Sequence, residues 1–205
     1  MPSCDPASTT QVITAEASVA IALGGNLGDP IATLKAVRPL LRAELHSWVA
    51  GAGIELALKW SPLFRTAPVG GPPGQPPFVN GVLLVVRAVG GREPWPDALA
   101  FLRRLQALEA RFGRQRLEPW GPRSLDLDLL WCSDAHCSGP QLELPHPRLR
   151  QRAFVVGPLA AIAGPLVLPS GHETAAALLA ELLSRPGAEP PPLPLPAQEG
   201  WPEEA

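Results

Sequence analysis

Along the first 130 residues, short apolar runs alternate with longer stretches of helical period. Residues 19–23 (VAIAL) are continuously apolar and end at Gly24, which predicts a buried strand. Asp29 and Pro30 then supply an N-cap and a proline at the first helical position, and Ile31, Leu34, Val37, Leu40 and Leu41 recur at helical spacing. Residues 57–66 (ALKWSPLFRT) predict another strand, with Pro62 marking an edge or bulge, followed by the loop APVGGPPGQPP. Residues 78–88 (FVNGVLLVVRA) predict a third strand. Pro96 and Asp97 open a second helix, in which Leu99, Leu102, Leu105, Leu108 and Phe112 form an apolar stripe that Gly113 stops. Residues 124–130 (SLDLDLL) alternate polar and apolar positions as a fourth strand. Helices are also predicted near 149–162 and 173–184. The order β-α-β-β-α-β is a split βαβ arrangement, an α+β fold with a mainly antiparallel sheet and helices packed on one face.

Both ends break the pattern. Residues 1–17 are small and polar without a period, which predicts a disordered arm. Residues 185–205 (RPGAEPPPLPLPAQEGWPEEA) predict an extended, disordered, polyproline-like tail. The folded unit is then 18–184. Composition agrees with one domain plus tails: 205 residues are 46% apolar, yet carry 27 Pro and 19 Gly, too many for a coiled coil or a long helical bundle. No apolar stretch approaches the roughly 18 residues of a membrane span, and the start lacks the basic and apolar regions of a secretory signal. Three cysteines make an odd set that argues against a secreted disulfide framework, so the expectation is a cytoplasmic protein, and a monomer. The net charge of −2 is unevenly spread. Residues 103–152 concentrate nine arginines, which suits a small polyanionic ligand better than a long nucleic acid.

The chemistry sits in SLDLDLL. Period-two geometry sends Leu125, Leu127 and Leu129 to one face of the strand and Ser124, Asp126 and Asp128 to the other. Two carboxylates at i and i+2 lie about 6 to 7 Å apart by the strand rise, and they repel unless a cation lies between them. Mg²⁺ takes such hard oxygens and completes its shell with water and phosphate. Immediately upstream, residues 113–123 form a Gly- and Pro-punctuated loop with Arg114, Arg116, Arg123 and Trp120. Its guanidiniums can fork onto phosphate oxygens, and its indole offers a plane to a ring. The run Gly24-Gly25-Asn26-Leu27-Gly28 lacks both the P-loop signature and the dinucleotide fingerprint, and reads as a strand-to-helix turn.

The segments ALGGNLGDP, FRTAPVGGPPGQPPFVN, PWGPRSLDLDLL and LPHPRLRQRAFVVGPL, in this order, closely resemble the 6-hydroxymethyl-7,8-dihydropterin pyrophosphokinase family of folate biosynthesis. The resemblance implies a ferredoxin-like βαββαβ core and transfer of pyrophosphate from ATP to the hydroxymethyl group of the dihydropterin, leaving AMP. It implies two Mg²⁺ ions on Asp126 and Asp128, and catalytic roles for Arg114 and Arg123 on the phosphates. Gln106, Glu109, Arg116, Trp120, His146 and Arg152 match nucleotide-binding positions. Thr66, Pro68, Val69, Phe78, Asn80 and Phe154 match pterin-binding positions, the two phenylalanines as a sandwich around the ring and Asn80 as the amide that reads its edge. Gly25, Ala67 and Pro119 depart from the family's commoner residues without removing a ligand. The implied partners are the two small substrates, with no nucleic acid and no membrane. A Mg²⁺-dependent kinase acting on another pteridine-like alcohol would share these residues. An RNA-binding sheet would instead need exposed aromatics on a basic surface.

Overall fold

The computed structural model describes residue 15 and residues 18–88, 93–114 and 120–201. The N-terminal arm, Arg116 and Pro119 thus fall outside the described residues, Ala15 apart.

The central strand is β4 (Phe78–Arg87), whose run of apolar residues is buried on both faces. It pairs antiparallel with β1 (Ser18–Gly25) on one side. Its other side takes β2 (Leu56–Trp60) and β3 (Phe64–Thr66) end to end. The strand expected over 57–66 is therefore two. Pro62 has no N–H for the ladder, and Ser61 carries the chain across the break: its N–H donates to the Val82 carbonyl at 2.9 Å, and its hydroxyl accepts the Val82 N–H at 2.9 Å. β5 (Asp126–Cys132) pairs antiparallel with β1 on the outer side. A small hairpin, β6 (Cys137–Ser138) and β7 (Glu143–Leu144), follows it.

α1 (Pro30–Trp48) starts as its sequence predicts, with the Asp29 carboxylate accepting the Ala32 N–H at 3.0 Å. α2 (Ala98–Arg111) is capped by Asp97 through Leu99 and Ala100, and Gly113 leaves it at a positive φ of 74°. These two helices pack on one face of the sheet, over Val19, Ile21, Leu23, Leu83, Val85, Leu127 and Leu129. The opposite face is covered as well. α3 (Ala153–Ala163) and α4 (Ala175–Ser184) bury Ala20, Val82, Leu84, Leu130 and Trp131. The helices expected on one face are those of the βαββαβ core; the later pair makes the sheet a middle layer. A register shift between Ala20 and Ile21 leaves Leu130 as the extra residue of β5, so Leu130 and Trp131 both enter the α3–α4 core.

The C-terminal segment departs from expectation. Residues 185–201 are docked, and β8 (Leu193–Pro194) extends the sheet antiparallel to β3. Proline is tolerated on an edge strand, where few N–H groups are needed, and the Leu195 N–H supplies one to the Leu63 carbonyl at 2.8 Å. Pro192 presses onto α3 at Gly157, where a Cβ would lie 2.9 Å from the proline ring. Trp201 closes the segment at 2% exposure. Its ring meets Trp60 edge-on at 5.2 Å, its Nε1–H donates to the Ser61 carbonyl at 2.9 Å, and the Arg38 guanidinium lies 5.6 Å from its ring centre.

Candidate active site

Where the α3–α4 core ends, the same sheet face opens into a cavity of about 530 Å³ between the strands and the start of α3. Period-two placement on β5 brings Asp126 and Asp128 to its floor, as the alternation in SLDLDLL predicts. Beside Asp126 in the ladder stand Gly24 and then Asn80. A Cβ on Gly24 would lie 2.2 Å from the Asn80 Oδ1, so only glycine lets the amide lie across β1. The Asn80 amide donates to the Thr66 hydroxyl at 2.7 Å. Phe78 and Phe154 are half-buried in the cavity wall, with Val69 exposed at its rim.

Three loops meet at the mouth, and Asn26 ties them together. Buried after β1, it donates from its amide to the Pro76 carbonyl at 3.0 Å and accepts the Arg123 N–H at 2.8 Å, while its own N–H reaches the Arg123 carbonyl. The strand-to-helix turn read in GGNLG thus also carries the site's scaffold. Trp120 is half exposed, at a φ of 55°, and its ring lies against Gly70. The Gln75 amide bridges the Gly70 and Trp120 carbonyls, and the Arg148 guanidinium sits 5.0 Å from the Trp120 ring centre.

Arginines crowd the acid pair. Asp126 pairs with Arg123 at 2.7 Å and with Arg114 at 2.8 Å; Asp128 pairs with Arg152 at 3.2 Å and stands 4.0 Å from His146 Nε2. Burial first, and then the Asp128 charge, push the Asp126 carboxyl above its usual range, although Arg123, Arg114 and Arg152 pull it down. Burial lowers His146, with Asp128 acting the other way, so its ring favours the neutral form. The Asp126 Oδ1 is buried without a hydrogen bond, its Arg114 contact being an ion pair only. Two hard carboxylates on one face, one with such an atom, fit a divalent cation; no group of three His, Cys, Asp or Glu ligands occurs among the described residues.

Most of the residues singled out in the sequence converge here: Thr66, Val69, Phe78, Asn80, Trp120, Arg123, Asp126, Asp128, His146, Arg152 and Phe154 line the cavity. Pro68 lies between two lining residues, Ala67 and Val69. Arg114 reaches the site through Asp126. Gln106 and Glu109, three apart on α2, separate: Gln106 is exposed away from the cavity wall, whereas Glu109 is buried beneath it, accepting the Leu127 N–H at 2.7 Å and pairing with Arg114. Burial pushes the Glu109 carboxyl up, against those two partners. Sequence reasoning missed Arg148, Gln151 and Glu189. The first two lie within PHPRLRQR; nothing in the sequence pointed to Glu189.

A wall that sets three guanidiniums and a carboxylate pair around an open cavity can hold a polyanion together with a divalent cation. The family model described as 7,8-dihydro-6-hydroxymethylpterin-pyrophosphokinase (HPPK) matches residues 20–164. The chain belongs to the HPPK family. Curated 2-amino-4-hydroxy-6-hydroxymethyldihydropteridine pyrophosphokinases agree: that of Synechocystis is 36% identical over 79% of this chain and 74% of its own length, and that of Pseudomonas aeruginosa 38% over 75% and 85%. The HPPK match ends at residue 164, directly after α3, so α4 and the docked C-terminal segment lie outside it. Among solved structures, Plasmodium falciparum HPPK-DHPS with pteroate shares the fold, at a TM-score of 0.55 and 11% identity over 82% of this chain. The chain spans 44% of that protein's length. The α+β, antiparallel architecture is thus that of HPPK. No helix among the described residues is long and apolar enough to cross a membrane.

Proposed function

We propose that the chain transfers pyrophosphate from ATP to 6-hydroxymethyl-7,8-dihydropterin, releasing AMP and the pterin diphosphate, as a cytoplasmic monomer. The observation that carries this reading is the shared wall: an acid pair flanked by Arg123 and Arg152 stands next to an amide and two phenylalanines in one cavity. Phe78 and Phe154 offer apolar faces to a flat heterocycle, and Asn80, held by Thr66, keeps its amide group at the ring's edge. The backbone groups of Thr66, Pro68 and Val69 are assigned to the same edge.

Arg123, Arg152 and Arg114 are already placed against the carboxylates and can turn their forks to the phosphate chain when ATP enters. Asp126 and Asp128 would hold two Mg²⁺ ions. When bound, such ions neutralise the phosphates and polarise the attacking hydroxyl. Phosphoryl transfer asks the protein for position and charge stabilisation rather than covalent chemistry, so the residues' work is to align the pterin hydroxyl with the β-phosphorus. Trp120 and His146 are assigned to the nucleotide side together with Arg116, and the Arg148 guanidinium sits against the Trp120 ring. Glu109 acts from below by fixing Arg114; Gln106 is assigned to the outer nucleotide rim. An RNA-binding reading loses its surface, because α3 and α4 cover the second face of the sheet.

The test is product analysis by HPLC with purified protein, ATP and Mg²⁺. AMP and pterin diphosphate forming together with the hydroxymethyl dihydropterin, and neither without acceptor, supports the reading. Faster turnover of another pteridine-like alcohol replaces the substrate; no AMP with any acceptor refutes the reaction.

A further inference from the structure

The docked C-terminal segment brings a carboxylate into the cavity. Glu189 lies five residues beyond Ser184, the last residue of α4, on the stretch that leads to Pro192 and β8, and it lines the wall. Its carboxylate lies beside the Ala153 N–H and the Arg152 guanidinium, which draw its carboxyl down while burial, the larger effect, pushes it up. That contact matters because α3 begins at Ala153 with no side-chain cap of its own. An acidic group at the first turn satisfies an orphan N–H and complements the helix dipole. Phe154 is the next residue, and Arg152 the one before; the guanidinium of Arg152 stands 5.4 Å from the Phe154 ring centre and pairs with Asp128.

Three further contacts keep Glu189 where it is. Pro192 fits against Gly157, one turn along α3; β8 pairs with β3; and Trp201 is buried against Trp60. The strap therefore runs from the far end of the molecule's fold, across α3, to the open edge of the sheet.

We propose that residues 185–201 are a working wall of the active site, in which Glu189 is a positioning residue that caps α3 from outside the family-matched region and thereby sets Phe154 for the pterin ring. The inference rests on the assignment of Phe154 to the pterin. Losing the cap loosens the first turn of α3, and with it the aromatic wall. The negative charge beside Arg152 does not help a phosphate chain bind, so its removal leaves the nucleotide side no weaker.

The test compares Glu189→Ala, Glu189→Gln and Phe154→Ala in steady-state kinetics of the full chain, with both substrates varied. Glu189→Ala is expected to raise the KM for the dihydropterin about fivefold, the factor that corresponds to a typical helix cap, with the KM for ATP unchanged or lower and kcat changing less. Glu189→Gln keeps an oxygen for the Ala153 N–H and is expected to recover most of the pterin KM. A pterin KM unmoved by Glu189→Ala while Phe154→Ala raises it overturns the inference alone. Equal rises in both KM values, or a lower melting temperature with neither KM changed, also overturn it, since either marks a merely structural residue. If Phe154→Ala itself leaves the pterin KM unaltered, the pterin-seat assignment fails together with the inference.

Discussion

Replacing Trp201 with alanine isolates what holds the C-terminal strap to the domain. The indole is almost wholly buried, meets Trp60 edge-on, and donates to the Ser61 carbonyl. Burying an indole removes about 200 Å² from water, or about 5 kcal/mol at 25 cal/mol per Å², and this is an upper bound because unfolded chains already hide part of that surface. The hydrogen bond adds about 1 kcal/mol. Alanine keeps part of the contact, which brings the expected loss to about 3–5 kcal/mol, the usual range for a buried tryptophan. The loss is expected to fall on the docking of the strap more than on global unfolding, because the strap supplies only Trp201 and Leu195 to one of the two cores and nothing to the other. Native-state hydrogen exchange reads this at the Leu195 N–H, which is bonded to Leu63 only while the strap is docked. Its protection should fall on the order of 10²- to several times 10³-fold relative to the wild type, while Ile21 and Leu84 in the central sheet lose far less. Unchanged protection at Leu195 would refute the reasoning and show that β8 pairing alone holds the strap.

Asp126→Ala and Asp128→Ala are each expected to lower kcat on the order of 10²-fold or more at saturating Mg²⁺, with circular dichroism unchanged; near-wild-type turnover contradicts the role. Gly24→Ala drives a methyl into the Asn80 Oδ1 and should cost about 1–3 kcal/mol in denaturant unfolding, along with a raised pterin KM. The Cys132 thiol is pushed up to about 12, chiefly by burial; mass mapping after iodoacetamide at pH 8 should find it unlabelled in the folded protein and labelled after unfolding. Arg148→Ala removes the cation from the Trp120 ring and should increase the Trp120 side chain's mobility in fluorescence anisotropy, with an unaltered value arguing that Gly70 and Gln75 alone fix it.

The elements built on strong periodicity were legible in advance. β1, β4 and β5 announce themselves by apolar runs or alternation, and Asp29, Asp97 and Gly113 mark helix ends by capping chemistry. The acid pair was legible for the same reason, since alternation alone sends Asp126 and Asp128 to one face. What escaped depends on contacts distant in sequence. The proline-rich strap has neither period, and its docking rests on one edge-strand pairing, one proline against Gly157 and one tryptophan. Asn26 joins loops separated by 50 and 97 positions, a link no local pattern encodes. The spacing of Gln106 and Glu109 places both near one helix face, yet the side-chain directions split them between solvent and the buried Leu127 amide.

The central claim is that ATP is cleaved at its β-phosphorus and that two phosphates travel as a unit, and isotope tracing tests it most directly. With ATP labelled at the β-phosphate, the label should appear in the pterin product with equal stoichiometry to AMP. Label remaining in ADP, with only the γ-phosphate transferred, would contradict the account.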